Sequence, residues 1–119
     1  MRMPIVTFEA FDVVVVPFPF TDRNATKRRP ALVLSDGRAF NQQSGHSVLA
    51  MITSARHSDW PLDVKIKDLD AAGLPSASVV RMKLFTLANP LVIRKAGALG
   101  PGDQGAVADC LERLLGGSG

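Results

Sequence analysis

The sequence predicts a small, strongly curved antiparallel β-barrel with one helix at its C-terminal end. About six short apolar segments, separated by turns rich in glycine, proline and asparagine, indicate strands. A helical spacing of apolar residues occurs only near the end of the chain. Because strands and helices do not alternate, a doubly wound parallel sheet is not expected.

The composition is typical of one compact domain. The 119 residues are 46% hydrophobic and 21% charged, which is close to the average of globular proteins and excludes wholesale disorder. No apolar run approaches the roughly 20 residues of a membrane helix, and the N-terminus leads into no signal-peptide core, so no membrane partner is expected. Cys110 is the single cysteine, which rules out an internal disulfide and makes a reducing cytoplasm the expected location.

The first half of the chain contains three predicted strands. Residues 10–16 are mostly β-branched and apolar, and Pro17 is expected to end this strand or to confine it to a sheet edge. A polar turn leads to the second strand at residues 31–34. A polar loop at residues 38–45, with room for one helical turn, leads to the third strand at residues 48–52.

The second half contains three shorter or more exposed strands. Residues 63–67 alternate charged and apolar side chains, as a half-exposed strand does. Residues 69–72 are expected to form a short helical turn before Gly73. Residues 78–87 and 91–96 predict two further strands.

The last element is an amphipathic helix. Its apolar residues recur three and four positions apart, at Val107, Cys110, Leu111, Leu114 and Leu115. Pro101 suits the first helical position, Asp103 suits the positive end of the helix dipole, and Gly116 is expected to end the helix. Cys110 lies on the apolar face and is expected to be a buried structural thiol.

Most standard catalytic signatures are absent from the sequence. His46, His57 and Cys110 lack the spacing of zinc ligands, so no metal or cofactor site is expected. The chain has no phosphate-binding glycine loop, no nucleophile elbow and no pair of carboxylates spaced for glycoside hydrolysis.

A basic cluster precedes the second strand and is expected to form a loop. Arg23, Lys27, Arg28 and Arg29 fall within seven residues, although the net charge of the whole chain is only +3. Because the planar guanidinium group matches two phosphate oxygens, a phosphate ligand is one interpretation, and a solvated turn is the other. Arg29 precedes Pro30, which favours an extended backbone and a better-held side chain at the start of a buried strand.

Polar side chains also occur at one strand end and within another strand. Thr53 and Ser54 follow the third strand, where hydroxyl groups either donate to a phosphate or cap the strand. Arg81 and Lys83 share a face of an otherwise apolar strand, where an arginine requires an anion or an exposed surface.

Several stretches of the chain, in order, resemble the MazF/PemK family of toxin ribonucleases. They are residues 11–18 (FDVVVVPF), 27–35 (KRRPALVLS), 52–54 (ITS), 78–81 (SVVR), 83–87 (KLFTL) and 97–115. The resemblance covers roughly residues 9–115 and implies one SH3-like barrel domain over residues 1–119 that forms a homodimer. It also implies a metal-independent endoribonuclease, without a cofactor, that acts on single-stranded RNA and has a cognate antitoxin.

The resemblance also assigns roles to residues. The family arginine before the strand-opening proline and the threonine that ends the next strand serve catalysis, and these positions are Arg29 and Thr53 here. With the 2′-hydroxyl of the RNA as nucleophile, Arg29 would offset charge on the phosphorane and Thr53 would hold a non-bridging oxygen. The other predicted RNA contacts are Arg23, Lys27, Arg28, Ser54, His57, Arg81 and Lys83. The general base is not identified, and His57 is the candidate that titrates near neutrality.

The chain departs from the family pattern after the Ser-Val-Val stretch. Some members carry an arginine and a nearby aspartate there, whereas residues 83–88 are KLFTLA in this chain. Either Arg81 or Lys83 takes over this role, or the activity is reduced or lost.

Two other functions stay open at this point. A CcdB-like gyrase inhibitor would share the barrel and act through its C-terminal helix, and a degenerate barrel would bind RNA without cleaving it. A basic cleft also suits an acidic, disordered antitoxin tail that folds on binding. The base-stacking candidates are Phe18, Phe20, Phe40 and Trp60. The RNA sequence and the class of target RNA do not follow from these residues.

Overall fold

A computed structural model describes residues 7–18, 27–56 and 59–117 of the chain. The strands are β1 (Asp12–Phe18), β2 (Lys27–Val33), β3 (His46–Ser54), β4 (Val64–Lys65), β5 (Ser78–Ala88) and β6 (Arg94–Ala98). They form one six-stranded sheet in the order β4-β5-β3-β2-β1-β6, in which each neighbouring pair is antiparallel. The sheet curls into a half-barrel, which confirms the predicted fold class.

Short helical segments lie between the strands in the chain, and the longest helix comes after the last strand. They are a π-helical turn at Gly37–Asn41 that continues into α1 (Gln42–Ser44), α2 (Leu69–Ala72), a 3-10 turn at Asn89–Leu91 and α3 (Pro101–Leu114). As predicted, α3 begins at Pro101 and ends before Gly116, whose φ is +79°. No helix in the described ranges is long and apolar enough to cross a membrane.

The sheet is apolar on both faces, because alternate residues of each strand point in opposite directions. One face of the sheet packs against α3, and we call it the helix face. It carries the main core, in which Val13 and Leu32 pack in one cluster with Val107 of α3. The outer face carries a second cluster that includes Val16 and Ala31. The strands therefore show nearly continuous apolar runs where both faces are covered.

Prolines lie inside two interior strands, so the expectation that Pro17 ends β1 is wrong, whereas the expected edge position is found locally at Pro17. β1 continues through Pro17, but its pairing with β6 ends at Val15. β2 contains Pro30, and its pairing with β3 begins only at Ala31. Each proline therefore lies where its strand has a single neighbour in the described sheet, and the missing N–H donor is tolerated there.

Other element boundaries also differ from the prediction. The third strand is longer than residues 48–52 and contains Thr53 and Ser54. The strand predicted at residues 63–67 is reduced to Val64–Lys65, because only these two residues pair with β5. The last strand begins at Arg94 rather than at residue 91, since the 3-10 turn occupies the preceding residues.

Side-chain burial in α3 follows the predicted amphipathic pattern with one difference. Val107 is fully buried, whereas Cys110 is half-buried rather than buried, because it lies at the border of the packed face of the helix. Asp103 in the first turn is also buried, and its carboxylate accepts hydrogen bonds from the backbone N–H groups of Lys67 and Asp68 at 2.9–3.1 Å. These bonds fasten α3 to the segment that follows β4.

A buried polar cluster joins three distant parts of the chain. The Asn41 side chain is completely buried, and its amide donates to the carbonyl oxygens of Phe8 (2.7 Å) and Ser35 (3.0 Å). Its side-chain oxygen accepts from the Ser35 hydroxyl. Its backbone oxygen accepts from the side-chain amide of Asn89, at 3.0 Å. Asn41 therefore connects the segment before β1 with the segments that follow β2 and β5.

Replacing Gly97 with alanine is expected to destabilise the fold by about 1–3 kcal/mol. A Cβ at Gly97 would lie 2.4 Å from the backbone oxygen of Ala71, because α2 packs directly on β6 there. Gly105→Ala in α3 is the matched control, since a Cβ at Gly105 meets nothing within 4 Å. Its better helix propensity should stabilise the fold by up to about 1 kcal/mol. The midpoint of thermal unfolding should fall for Gly97→Ala and rise for Gly105→Ala. Shifts of the same sign would contradict the packing of α2 on β6.

Candidate functional site

The register of three neighbouring strands brings polar side chains to one end of the outer face. Ala31 of β2 pairs with Met51 of β3, which pairs in turn with Arg81 of β5. Directly opposite residues of an antiparallel sheet point to the same face, and so do residues two positions apart in a strand. Arg29 and Thr53 therefore point to the same face as Arg81.

These side chains surround a shallow cavity of about 290 Å³, which we call the cleft. Its lining consists of Phe18, Arg29, Met51, Ile52, Thr53 and Arg81. The guanidinium carbon of Arg29 lies 5.6 Å from the centre of the Phe18 ring, a distance at which a cation–π interaction holds the arginine in place. The structure thus brings together Arg29 and Thr53, the two residues predicted to serve catalysis.

Arg81 is fixed at the cleft by a bidentate ion pair. Its Nε and Nη2 groups donate to the two carboxylate oxygens of Asp63, at 3.2 and 2.8 Å. The hydrogen bond to Asp63 raises the pKa of Arg81, and the attraction between the two charges adds to this effect, while burial acts in the opposite direction. Arg81 therefore stays a cation over the whole range of pH in which the protein would be assayed.

Asp63 is a site residue that the sequence analysis missed. It lies 18 positions before Arg81 in the chain, in no recognisable motif, and only the pairing of β4 with β5 brings the two together. A turn orients it: the N–H of Asp63 donates to the carbonyl oxygen of Trp60 at 3.2 Å, and Leu62 adopts a φ of +66°. Of the two alternatives that the sequence left for Arg81, an anion or an exposed surface, the structure shows an anion within the chain.

Two cations of β5 contact one aromatic ring beside an irregularity in the strand. The pairing with β3 shifts next to Arg81, so that Met82 and Lys83 have no direct partner in β3. The Lys83 Nζ atom lies 4.4 Å and the Arg81 guanidinium carbon 5.9 Å from the centre of the Trp60 ring. This common contact agrees with the predicted shared orientation of Arg81 and Lys83. Trp60 is 41% exposed and thus remains a candidate for base stacking.

Lys27 and Arg28 belong to a strand and not to the predicted loop. Pairing of β2 with β1 continues as far as Lys27, opposite Phe18, and this pairing holds both basic residues in extended backbone. Both side chains are exposed, and neither lines the cleft. Arg28 points to the face opposite to that of Arg29, because the two residues are adjacent in a strand.

The remaining predicted contacts contribute less to the described site. Ser54 alternates with Thr53 in β3 and does not line the cleft. Its hydroxyl accepts from the backbone N–H of Arg56 at 3.3 Å, which is the capping role considered for it. Arg23 and His57 lie outside the described residues, as does Phe20.

The chemistry of the cleft suits an anion. Two arginines and one threonine hydroxyl line it, and no lining residue is a histidine or a carboxylate. Because Asp63 neutralises Arg81, Arg29 is the lining cation that has no ion pair with a described residue. Side chains of these types can bind a phosphate and can stabilise negative charge that develops on it. Within residues 7–18, 27–56 and 59–117, no three His, Cys, Asp or Glu side chains are placed to hold a metal ion.

The chain matches a known protein family but no individual curated sequence. Residues 9–115 match the model of a family described as PemK-like, MazF-like toxins of type II toxin–antitoxin systems. Among curated protein sequences, none matches the chain.

Solved structures share the fold over nearly the whole chain. A MazE–MazF crystal structure (form II) from Deinococcus radiodurans is 25% identical, with a TM-score of 0.73, and the match covers 96% of this chain and 100% of that chain. A MazF crystal structure (form I) from the same organism is also 25% identical, with a TM-score of 0.71 and coverages of 94% and 99%. An endoribonuclease in complex with its cognate antitoxin, from a mycobacterial species, is 17% identical with a TM-score of 0.72 and coverages of 94% and 96%. At 17% identity the likeness concerns the fold alone.

Proposed function

Because this chain belongs to the family of PemK-like, MazF-like toxins of type II toxin–antitoxin systems, we propose that it is a metal-independent endoribonuclease that cleaves single-stranded RNA in the cytoplasm. The observation that carries the proposal is the cleft, where Arg29, Thr53 and Arg81 converge from three strands. Single-stranded RNA suits it, because an unpaired strand can adopt the in-line geometry that a duplex resists.

The proposed reaction uses the RNA itself as nucleophile. The 2′-oxygen of one nucleotide attacks the adjacent phosphorus, and the bond from phosphorus to the 5′-oxygen of the next nucleotide breaks. The 2′-hydroxyl loses a proton and the leaving oxygen gains one, so the products are a 2′,3′-cyclic phosphate and a 5′-hydroxyl. The described lining of the cleft holds no histidine or carboxylate to accept the 2′-proton, and His57, the candidate from the sequence, lies outside the described residues.

Each polar lining residue has a role in this reaction. Arg29 offsets the charge that develops on the phosphorane, and the Thr53 hydroxyl donates to a non-bridging oxygen. Arg81, held by Asp63, aligns the phosphate for attack. In this proposal Arg81 and Asp63 together take the role of the arginine and aspartate that some members carry in the stretch matching residues 83–88.

Incubation of the purified protein with single-stranded RNA in EDTA tests the proposal. Fragments with 2′,3′-cyclic phosphate and 5′-hydroxyl ends are expected, whereas the same sequence in a duplex should stay intact. Mapping the ends on total RNA would also give the recognition sequence and the class of target RNA. Cleavage that requires a divalent ion would contradict the metal-independent mechanism. Binding without any cleavage would favour the degenerate RNA-binding barrel.

Replacing Asp63 with asparagine is expected to lower kcat for RNA cleavage by roughly 10- to 100-fold, because Arg81 loses the anion that fixes its position. KM should change much less than kcat, and Asp63→Glu should recover part of the rate. Asp59→Asn, at an exposed position earlier in the same loop, is the matched control. Equal rates for Asp63→Asn and Asp59→Asn would contradict a positioning role.

A cognate antitoxin and a second copy of the chain are the proposed protein partners. Related toxins occur in complex with antitoxins, and the exposed basic residues of β2 would attract an acidic, flexible segment. Co-expression with a small acidic protein encoded beside this chain, the expected antitoxin, should restore growth and yield a stable complex. Sedimentation of the toxin alone should give twice the chain mass of 12.7 kDa, and a monomer at that concentration would contradict the homodimer.

A further inference from the structure

A second cavity lies on the helix face of the sheet, next to the cleft. Val15 of β1 pairs with Pro30 of β2 and with Arg94 of β6, so the three side chains point to the same face. Arg28 lies two positions before Pro30 and shares that face. Together with the segment that follows α2, these residues enclose about 280 Å³, which we call the second cavity.

The second cavity is lined by arginines that have no ion pair with a described residue. Arg28, Arg29 and Arg94 line it, and no carboxylate does. None of these arginines forms an ion pair with a described residue, whereas the neighbouring Lys95 is paired with Asp12 at 3.1 Å. Like charges placed together repel one another, and a bound anion would relieve that repulsion.

The opposite wall of the second cavity is apolar and held firmly. Gly73 ends α2 with a φ of +71°, and a Cβ on it would lie 2.1 Å from the backbone oxygen of Ala96 in β6. This close contact places Leu74 and Pro75 at the cavity. An apolar wall beside guanidinium groups offers a surface for a sugar or base next to a phosphate site.

Arg29 lies at the border of the two cavities and lines both, while its side chain points to the outer face with the cleft. An RNA strand whose scissile phosphate lies at Arg29 would bring a neighbouring phosphate to Arg28 and Arg94. A continuous path of positive charge is what an RNA backbone requires for binding. An acidic peptide would also satisfy these charges, but an arginine common to both cavities favours a ligand that occupies both, as an RNA strand does.

We propose that the second cavity binds a phosphate of the RNA next to the scissile one, with Arg28 and Arg94 as its donors. This inference rests on the proposed function and extends its binding site. Single-stranded RNA would then cross the end of β2, from the outer face of the sheet to the helix face.

Binding of an uncleavable RNA to the Arg94→Gln variant tests this inference. The RNA has hydrogen in place of the 2′-hydroxyl at the mapped cleavage position, and affinity is measured over a series of salt concentrations. The logarithm of the binding constant falls linearly with the logarithm of the salt concentration, and we call this slope the salt slope. Loss of one phosphate contact to a single strand should reduce its size by about 0.7. The affinity should fall roughly ten-fold, which is the effect of losing a charged hydrogen bond of about 1.4 kcal/mol. Arg28→Gln should behave in the same way and gives a second, independent variant.

Oligonucleotides shortened from each end locate the contact. The effect of Arg94→Gln should disappear once the nucleotide at the second cavity is removed from one end, and removal from the other end should leave it unchanged. Arg113→Gln, which changes the net charge equally at an exposed position of α3, is the matched control and should keep the full slope.

Several outcomes would overturn the inference. One is that Arg94→Gln and Arg113→Gln change RNA affinity equally. Another is that the effect of Arg94→Gln does not depend on the length of the RNA. A third is that Arg94→Gln weakens binding of the antitoxin but leaves binding of RNA unchanged. Failure of the unmodified protein to bind RNA would overturn it too. Binding without cleavage by the unmodified protein would instead contradict the proposed activity, and the binding test of the second cavity would then use the unmodified RNA.

Discussion

Replacing Arg29 with alanine is expected to lower the rate of RNA cleavage by roughly 10²- to 10³-fold, the usual effect of removing one donor that stabilises transition-state charge. Arg29 lines the cleft, and it has no ion pair with a described residue, so its charge is available to a phosphate. Arg81 has the same chemistry but is neutralised by Asp63. The loss should therefore be larger for Arg29 than for any other basic residue of the described chain.

Single-turnover cleavage of single-stranded RNA in EDTA measures this effect. Arg29→Lys keeps the charge but not the planar two-oxygen donor, and it should recover only part of the rate. Arg38→Ala, at an exposed position of the π-helical turn, is the control and should cleave at the normal rate. Cleavage by Arg29→Ala at the rate of Arg38→Ala would contradict the proposed role of Arg29.

Replacing Asn41 with alanine is expected to destabilise the fold by about 3 kcal/mol, which lowers the midpoint of thermal unfolding by roughly 10 °C in a domain of this size. Asn41 is fully buried, and its side chain bonds to Phe8 and to both the hydroxyl and the carbonyl oxygen of Ser35. Alanine would leave these groups without partners in a site that water cannot easily reach.

A charged residue at position 41 gives a second test of the same buried cluster. Asn41→Asp should be more harmful than Asn41→Ala at neutral pH, because a carboxylate would face two carbonyl oxygens. The folded state should raise the pKa of that carboxyl, so its cost should decrease as the pH falls and the group becomes protonated. Gln42→Ala, the exposed neighbour, is the control and should leave unfolding almost unchanged. A small shift for Asn41→Ala would show that its bonds contribute little.

The fold was predictable from local patterns because strand periodicity and the C-terminal helical spacing both agree with the final structure. The predicted strand boundaries are wrong where pairing between distant segments of the chain determines how far a strand extends. Pro17 and Pro30 carry a local signal for a strand end, yet pairing with a single neighbour extends both strands through them. Conversely, residues 63–67 alternate like a strand, but β5 pairs with only two of them.

The candidate site was predictable only in part. Arg29 and Thr53 follow from a resemblance to family motifs, since each has a recognisable sequence context. Asp63 carries no such context, and its partnership with Arg81 depends on a turn and on strand register. Arg94 also lacks a local signal, because its position beside Arg28 arises from the pairing of β6 with β1.

The placement of Pro17 and Pro30 has a consequence for self-association. At the end of the sheet that carries the cleft, β1 has no β6 partner beyond Val15, and β2 has no β3 partner before Ala31, within the described sheet. Strand edges that lack a neighbouring strand can recruit further strands and lead to aggregation. Proline at each edge removes an N–H donor that an incoming strand would need. The two prolines thus make this end of the described sheet a poor template for a further strand.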